Sequence, residues 1–310
     1  MAHYSFSFAS FRGTETVLLY HSYIKSVYFI DLFHIKWYNY IEEVTEVLRL
    51  KLISAENVCK FTVCGTEINT VYNEKYEPGD TWHIETDGAM FVKVKLDETM
   101  LDSILYLPEK FFEFEIPFGN ERICCYAPEA FSGESHRIIC AIPTDAEIYG
   151  EREISLNPHD RHNVDKYYPH AWANAVTKEH PSLFERNAID GVIRNEHHGR
   201  YPHHSWGGGA REDLEYEVRF GIEAEVSRIT IFIRADFPHD TYWREADLEF
   251  SDGTVKHITL AKTVEGQVFE FEPIKSNYVR LCGFKQQRLE DGSLSFAALS
   301  QIQIYGKYIK

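Results

Sequence analysis

The sequence predicts an all-β protein made of two β-sandwich domains, and three observations carry that prediction. Apolar and charged residues alternate with period two in one segment after another, turn residues separate these segments, and no stretch has the strand–helix–strand spacing of a parallel sheet. At 310 residues the chain is also long for a single core.

The elements follow in order. "VLRLKLIS" (Val47–Ser54), "FVKVKLD" (Phe91–Asp97) and "FFEFEIPF" (Phe111–Phe118) each place apolar residues on one face and charges on the other. "LEYEVRFG" (Leu214–Gly221), "RITIFIR" (Arg228–Arg234), "VFEFEP" (Val268–Pro273) and "SQIQIYG" (Ser300–Gly306) do the same in the second half. Such strands suit antiparallel sheets with one buried and one wet face. "SDGT" (Ser251–Thr254), flanked by "LEF" and "HITL", reads as a hairpin turn. Helical signal is weak; Trp37–Val47 could hold a short helix through Tyr40, Ile41, Val44 and Val47, but it runs directly into a strand pattern. "YEPGDTWHIETDG" (Tyr76–Gly88) has turn chemistry but no constellation of site residues, so the first domain reads as a packing partner. The boundary falls over Ala141–Ser155, which gives domains 1–145 and 152–310. Beyond it, Asn157–His170 carries His159, Asp160, Arg161, His162, Tyr167 and His170 and reads as a solvated loop.

Net charge is −16 and no basic run occurs, so the long-range attraction that drives phosphate-backbone binding is missing. Nucleic acid and anionic membrane surfaces are not expected partners. No window is apolar enough for a membrane-spanning helix. No signal peptide is visible at the N-terminus, so a soluble cytoplasmic protein is expected, or a secreted one if a leader is missing from this chain. Cys59, Cys64, Cys124, Cys125, Cys140 and Cys282 show neither a Cys-x-x-Cys pair nor a regular framework, and read as buried reduced thiols.

In the second half, "EISLNPHD", "AWANAVT", "ERNAIDG", "HHSWGGG", "LEYEVRFGIEAEVSRITIFIRAD" and "ALSQIQIYG" occur in that order. The set resembles the discoidin, or coagulation-factor C-type, domain of the galactose-binding-like superfamily, which includes bacterial carbohydrate-binding modules. The resemblance covers roughly residues 152–308. It implies a galactose-binding-like jelly roll whose ligand sits on loops at one end. In many members it also implies a structural calcium, held partly by the Asp of the Asp-Gly turn, which here is Asp190, and by an acidic residue of the last strand. This sequence has Gln301 and Gln303 there, a departure that weakens the calcium expectation because a hard dication prefers charged oxygen. Trp206 matches a position that packs under the sandwich.

Two polar segments then become candidate ligand loops. "IRADFPHDTYW" runs from the end of a strand into Asp236–Trp243, and "NEHHGRYPHHSWGGGARED" carries four histidines. Arg234, Asp236, His239 and Asp240 could bond the vicinal hydroxyls of a sugar, with His198, Arg200 and His204 from the facing loop. Tyr242 or Trp243 could supply the apolar plane on which a sugar ring rests. Zinc is a poorer reading, because adjacent histidines on extended chain point to opposite sides and each pair yields one ligand.

Three function classes stay open. Carbohydrate recognition without catalysis is the leading one, with no cofactor required. A carbohydrate-active hydrolase would use Asp236 and Asp240 as its two carboxyl groups, although no hydrolase motif accompanies them. A protein-interaction module would turn the aromatic loop toward a protein partner, with the acidic first half guiding encounter.

Overall fold

Alternation translates directly into layers. The computed structural model describes residues 27–31, 34–38, 48–193, 197, 199–235 and 241–310. The chain divides into two compact units, Met1–Glu46 and Val47–Lys310. In the first, β1 (Val27–Asp31) and β2 (His34–Tyr38) pair antiparallel. Trp37 thus lies in a strand, and the rest of the expected helix, 39–47, lies outside the described residues.

The second unit begins with β3 (Leu48–Ile53), β4 (Cys59–Gly65), β5 (Glu67–Tyr72), β6 (Thr81–Glu85), β7 (Met90–Lys95), β8 (Ser103–Leu107), β9 (Phe111–Glu115) and β10 (His136–Ala141). They form two antiparallel four-stranded sheets, ordered β4-β3-β6-β9 and β5-β10-β7-β8. Leu48, Leu50 and Leu52 are fully buried while Arg49 between them is exposed, as a period of two requires. Their partners Trp82, Ile84, Phe112 and Phe114 belong to the same core. Burying one such large side chain contributes roughly 1.5–3 kcal/mol. Two short helices follow parts of this lobe: α1 (Gly119–Cys125), and α2 (Asp145–Tyr149), whose start is fixed by a Thr144–Glu147 capping box.

The remaining strands are β11 (Arg152–Glu153), β12 (His170–Ala173), β13 (Tyr216–Ile233), β14 (Trp243–Phe250), β15 (Val255–Thr259), β16 (Gln267–Gln286) and β17 (Leu299–Tyr308). All pair antiparallel in one seven-stranded sheet, ordered β11-β17-β13-β16-β14-β15 with β12 on β13. The expected hairpin is present: Ser251–Thr254 joins β14 to β15, and Asp252 Oδ1 accepts from the Thr254 N–H at 2.8 Å. Leu214–Gly221 and Arg228–Arg234, read as separate strands, are largely one, β13. Gly221 allows the continuity: its φ is +75°, and a Cβ there would lie 2.3 Å from the Tyr168 ring. The register of β13 against β16 shifts twice, and bulged strands bend.

The two lobes share side chains. Tyr167 enters the first core, while Phe91 and Ile104 enter the second, where the Phe91 ring lies 4.6 Å from that of Tyr308. Two sequence expectations need correction. Of the six free thiols only Cys124, Cys125 and Cys140 are buried; Cys282 is half-buried, and Cys59 and Cys64 are exposed on the sheet-edge strand β4. The segment Asn157–His170 is not simply solvated, for Asn157, His159, Asp160 and His170 are buried with hydrogen-bond partners and Tyr167 is buried in the first core.

Candidate functional site

The end of β13 fixes the geometry of the candidate loops. Arg234 follows the last residue of that strand, donates its backbone N–H to Ala298 O at 2.9 Å, and is fully buried. Its Nη1 donates to the carbonyl of His203 at 2.8 Å. The end of β13 and the histidine-rich loop therefore meet at one rim, at Arg234 and His203. Beside them Trp206 exchanges both backbone hydrogen bonds with Leu299, at 2.8 and 2.9 Å.

The aromatic residues form the floor of this rim. Trp206 is fully buried, as the motif match implied, and donates Nε1–H to Ala175 O at 3.0 Å. Its ring stacks on Trp243 at 5.7 Å, and Trp243 lies 4.5 Å from Phe284. Trp243 is 1% exposed, so it is core and not an open plane; as the first residue of β14 its inward face was set by strand alternation. Tyr242 is half-buried, and its carbonyl accepts from Gln287 N–H at 2.9 Å. Arg200 and His197 are exposed, with the His197 ring 5.3 Å from that of His203. Asp236, His239, Asp240 and His198 lie outside the described residues.

Two other expected contact residues are internal. Arg234 braces the loop by its bond to His203 O, a use that sequence reading of a charged side chain does not anticipate. His204 is 1% exposed, stacked on Tyr201, and its Nε2 lies 2.5 Å from Asp190 Oδ2.

That bond also bears on calcium. Asp190 Oδ1 accepts from Val192 N–H at 2.9 Å, so both of its oxygens already have donors. In the last strand, Gln301 is fully buried with neither amide atom hydrogen-bonded, and a cation would satisfy its oxygen while repelling its N–H groups. Calcium takes six or more oxygen ligands, about 6–8. One carboxylate and one neutral amide supply too few charged oxygens for that ion. Among the described residues no cluster of three or more His, Cys, Asp or Glu could hold a metal.

A cavity of about 330 Å³ lies where the two lobes of the second unit meet, lined by Leu101, Tyr126, Arg186, Asp190, Ile193 and Tyr201 among others. Arg186 is 1% exposed and donates to Asp160 O at 2.6 Å, Pro158 O at 2.8 Å and Asn187 Oδ1 at 3.3 Å. Burial works against its charge, but the surrounding Tyr126, Cys125, Asp190 and Glu121 outweigh it and hold the guanidinium protonated. Its carbon sits 5.1 Å over the Tyr126 ring. Burial pushes the neighbouring Cys125 thiol up to about 12, so it is not a nucleophile at neutral pH. Sequence reading used Arg186 only as part of the "ERNAIDG" match, since no local signal marks a residue whose partners come from distant segments.

No protein-family model matches the chain, and no curated protein does. Solved structures do. The chitosan-binding module 1 of a chitosanase/glucanase from Paenibacillus sp. IK-5 is 16% identical, covering 50% of this chain and 99% of that one, with a TM-score of 0.34. A Streptococcus pneumoniae fucose-binding module is 16% identical over 50% of this chain and 97% of its own, with a TM-score of 0.36. The family 32 carbohydrate-binding module of C. perfringens NanJ, solved with galactose, is 19% identical over 44% and 91%, with a TM-score of 0.32. These three structures are carbohydrate-binding modules, and each covers about half of this chain.

Proposed function

We propose that the protein binds a carbohydrate, without transforming it, at the rim where the segment after β13 meets the histidine-rich loop. The observation that carries this reading is the hydrogen bond from Arg234 Nη1 to His203 O, which holds two segments distant in sequence at one edge. Arg200 and His197, exposed on the histidine-rich loop, are donors that match sugar hydroxyls, and Asp236, His239, Asp240 and His198 belong to the same two segments. Half-buried Tyr242 offers apolar surface to a ring face, and its neighbour Trp243 is held in the core against Trp206 and Phe284.

The test is a glycan panel on the full chain, followed by calorimetric titration of each hit. Arg200→Ala is expected to weaken binding by about tenfold, roughly 1.4 kcal/mol, with the melting temperature unchanged. If no glycan binds, or if the variant binds as well as the parent, the proposal fails. Turnover of chromogenic glycosides that disappears in Asp240→Asn would make the protein a hydrolase instead.

A further inference from the structure

The cavity between the lobes is separate chemistry. Arg186 and Asp190 both line it, both are at least 95% buried, and among the described residues they form no ion pair with each other or with any opposite charge except the Asp190–His204 contact. Arg186 has five N–H groups and three acceptors, leaving two N–H groups to give. Asp190 accepts two hydrogen bonds, which leaves lone pairs on both oxygens. The Tyr126 hydroxyl is buried and has no partner. At the mouth, Leu101 and Ile193 stay 50% and 44% exposed, unusual for apolar side chains that face a cavity.

Arg186 and Asp190 lie within electrostatic reach of each other but are not paired, and each keeps hydrogen-bonding capacity that a ligand can use. A ligand of one sign would answer only one of them, whereas a ligand with both signs answers both. The volume lies at the small end of ligand pockets, about 300–1,000 Å³, too small for an oligosaccharide. The aliphatic mouth favours an apolar substituent over a sugar face. We propose that this cavity is a second binding site, for a small zwitterion with an apolar side chain, the class of the apolar α-amino acids. Its carboxylate meets Arg186, its ammonium meets Asp190, and its side chain lies against Leu101 and Ile193.

The experiment titrates the full chain with L-leucine, 4-methylpentanoate, isopentylamine and galactose, by calorimetry and thermal shift. L-Leucine is expected to bind and to raise the melting temperature, with the acid and the amine at least about tenfold weaker. Leu101→Trp, at a half-exposed position, is expected to block the mouth and abolish leucine binding while leaving the melting temperature unchanged. Equal binding of the acid or the amine, or galactose binding that Leu101→Trp abolishes, overturns the ligand class. No binding by any probe, or leucine binding that survives Leu101→Trp, overturns the site. None of these outcomes depends on glycan binding at the rim.

Discussion

Two polar, histidine-rich segments of this chain, 157–170 and 197–204, look alike in composition and differ in fate. In the first, His159 accepts from Leu96 N–H through Nε2 at 3.3 Å, so its Nδ1 carries the proton that goes to Ser103 Oγ at 3.1 Å. Asp160 takes His170 Nδ1 at 2.8 Å and Ala171 N–H at 2.9 Å, and Asn157 gives Nδ2–H to Pro169 O at 2.7 Å. In the second, His204 is internal while His197 and Arg200 face solvent. Polar residues become interior when neighbouring segments meet their hydrogen-bonding needs, and remain available for a ligand when they do not. The first segment holds the lobes together, and the second is left with capacity for recognition.

The comparison can be broken at its strongest point first. Asp160→Ala strips His170 and the Ala171 N–H of their buried acceptor, and denaturant melts should show a loss of about 3–5 kcal/mol. His159→Gln should cost less, about 1–3 kcal/mol, by disturbing the bonds to Leu96 and Ser103. It should also change the acid limb of the stability profile. Burial, with Arg186 and Lys95 adding to it, lowers the His159 pKa to about 3, below the 6.5 of a free imidazole. The unfolded chain therefore binds more protons between these values, so this contribution is fully present above pH 6.5 and is lost as pH falls toward 3. Urea titrations across pH should show that limb flatten in the variant.

A smaller effect of opposite sign comes from Glu153, which burial raises to about 7 from 4.5. Here the folded state holds the proton more tightly, so the contribution is present below pH 4.5 and is lost as pH rises through 7. Glu153→Gln should remove that decline in the same titrations. Smallest of all in stability is Arg200→Ala, expected within about 0.5 kcal/mol of the parent because the side chain is exposed. A large destabilisation there would erase the distinction between the two segments.

The sequence showed part of this arrangement and hid the rest for physical reasons. Short strands such as β3, β7 and β9 were legible because one face is buried and the other wet, which writes a period of two. The length of β16 was not, because Pro273 reads as a stop. The register passes from Glu270 to Ile274 around a bulge, so the proline sits where no ladder bond needs its missing N–H. Trp206 was legible through its motif. Trp243 was harder, since a large aromatic at a loop–strand junction can face either way until the strand's phase is known. Arg234, Arg186 and the 157–170 segment were hidden because a charged or polar residue signals surface by default, and only distant partners reverse that.

The most direct measurement is a titration of the ¹⁵N-histidine-labelled chain with a glycan identified by the panel, followed by NMR. The signals of His197 and His203, at the rim, should shift saturably while those of His159 and His170, inside the lobe junction, stay still. Shifts confined to His159 and His170, or a saturable titration that leaves His197 and His203 unmoved, would contradict the assignment of recognition to this rim.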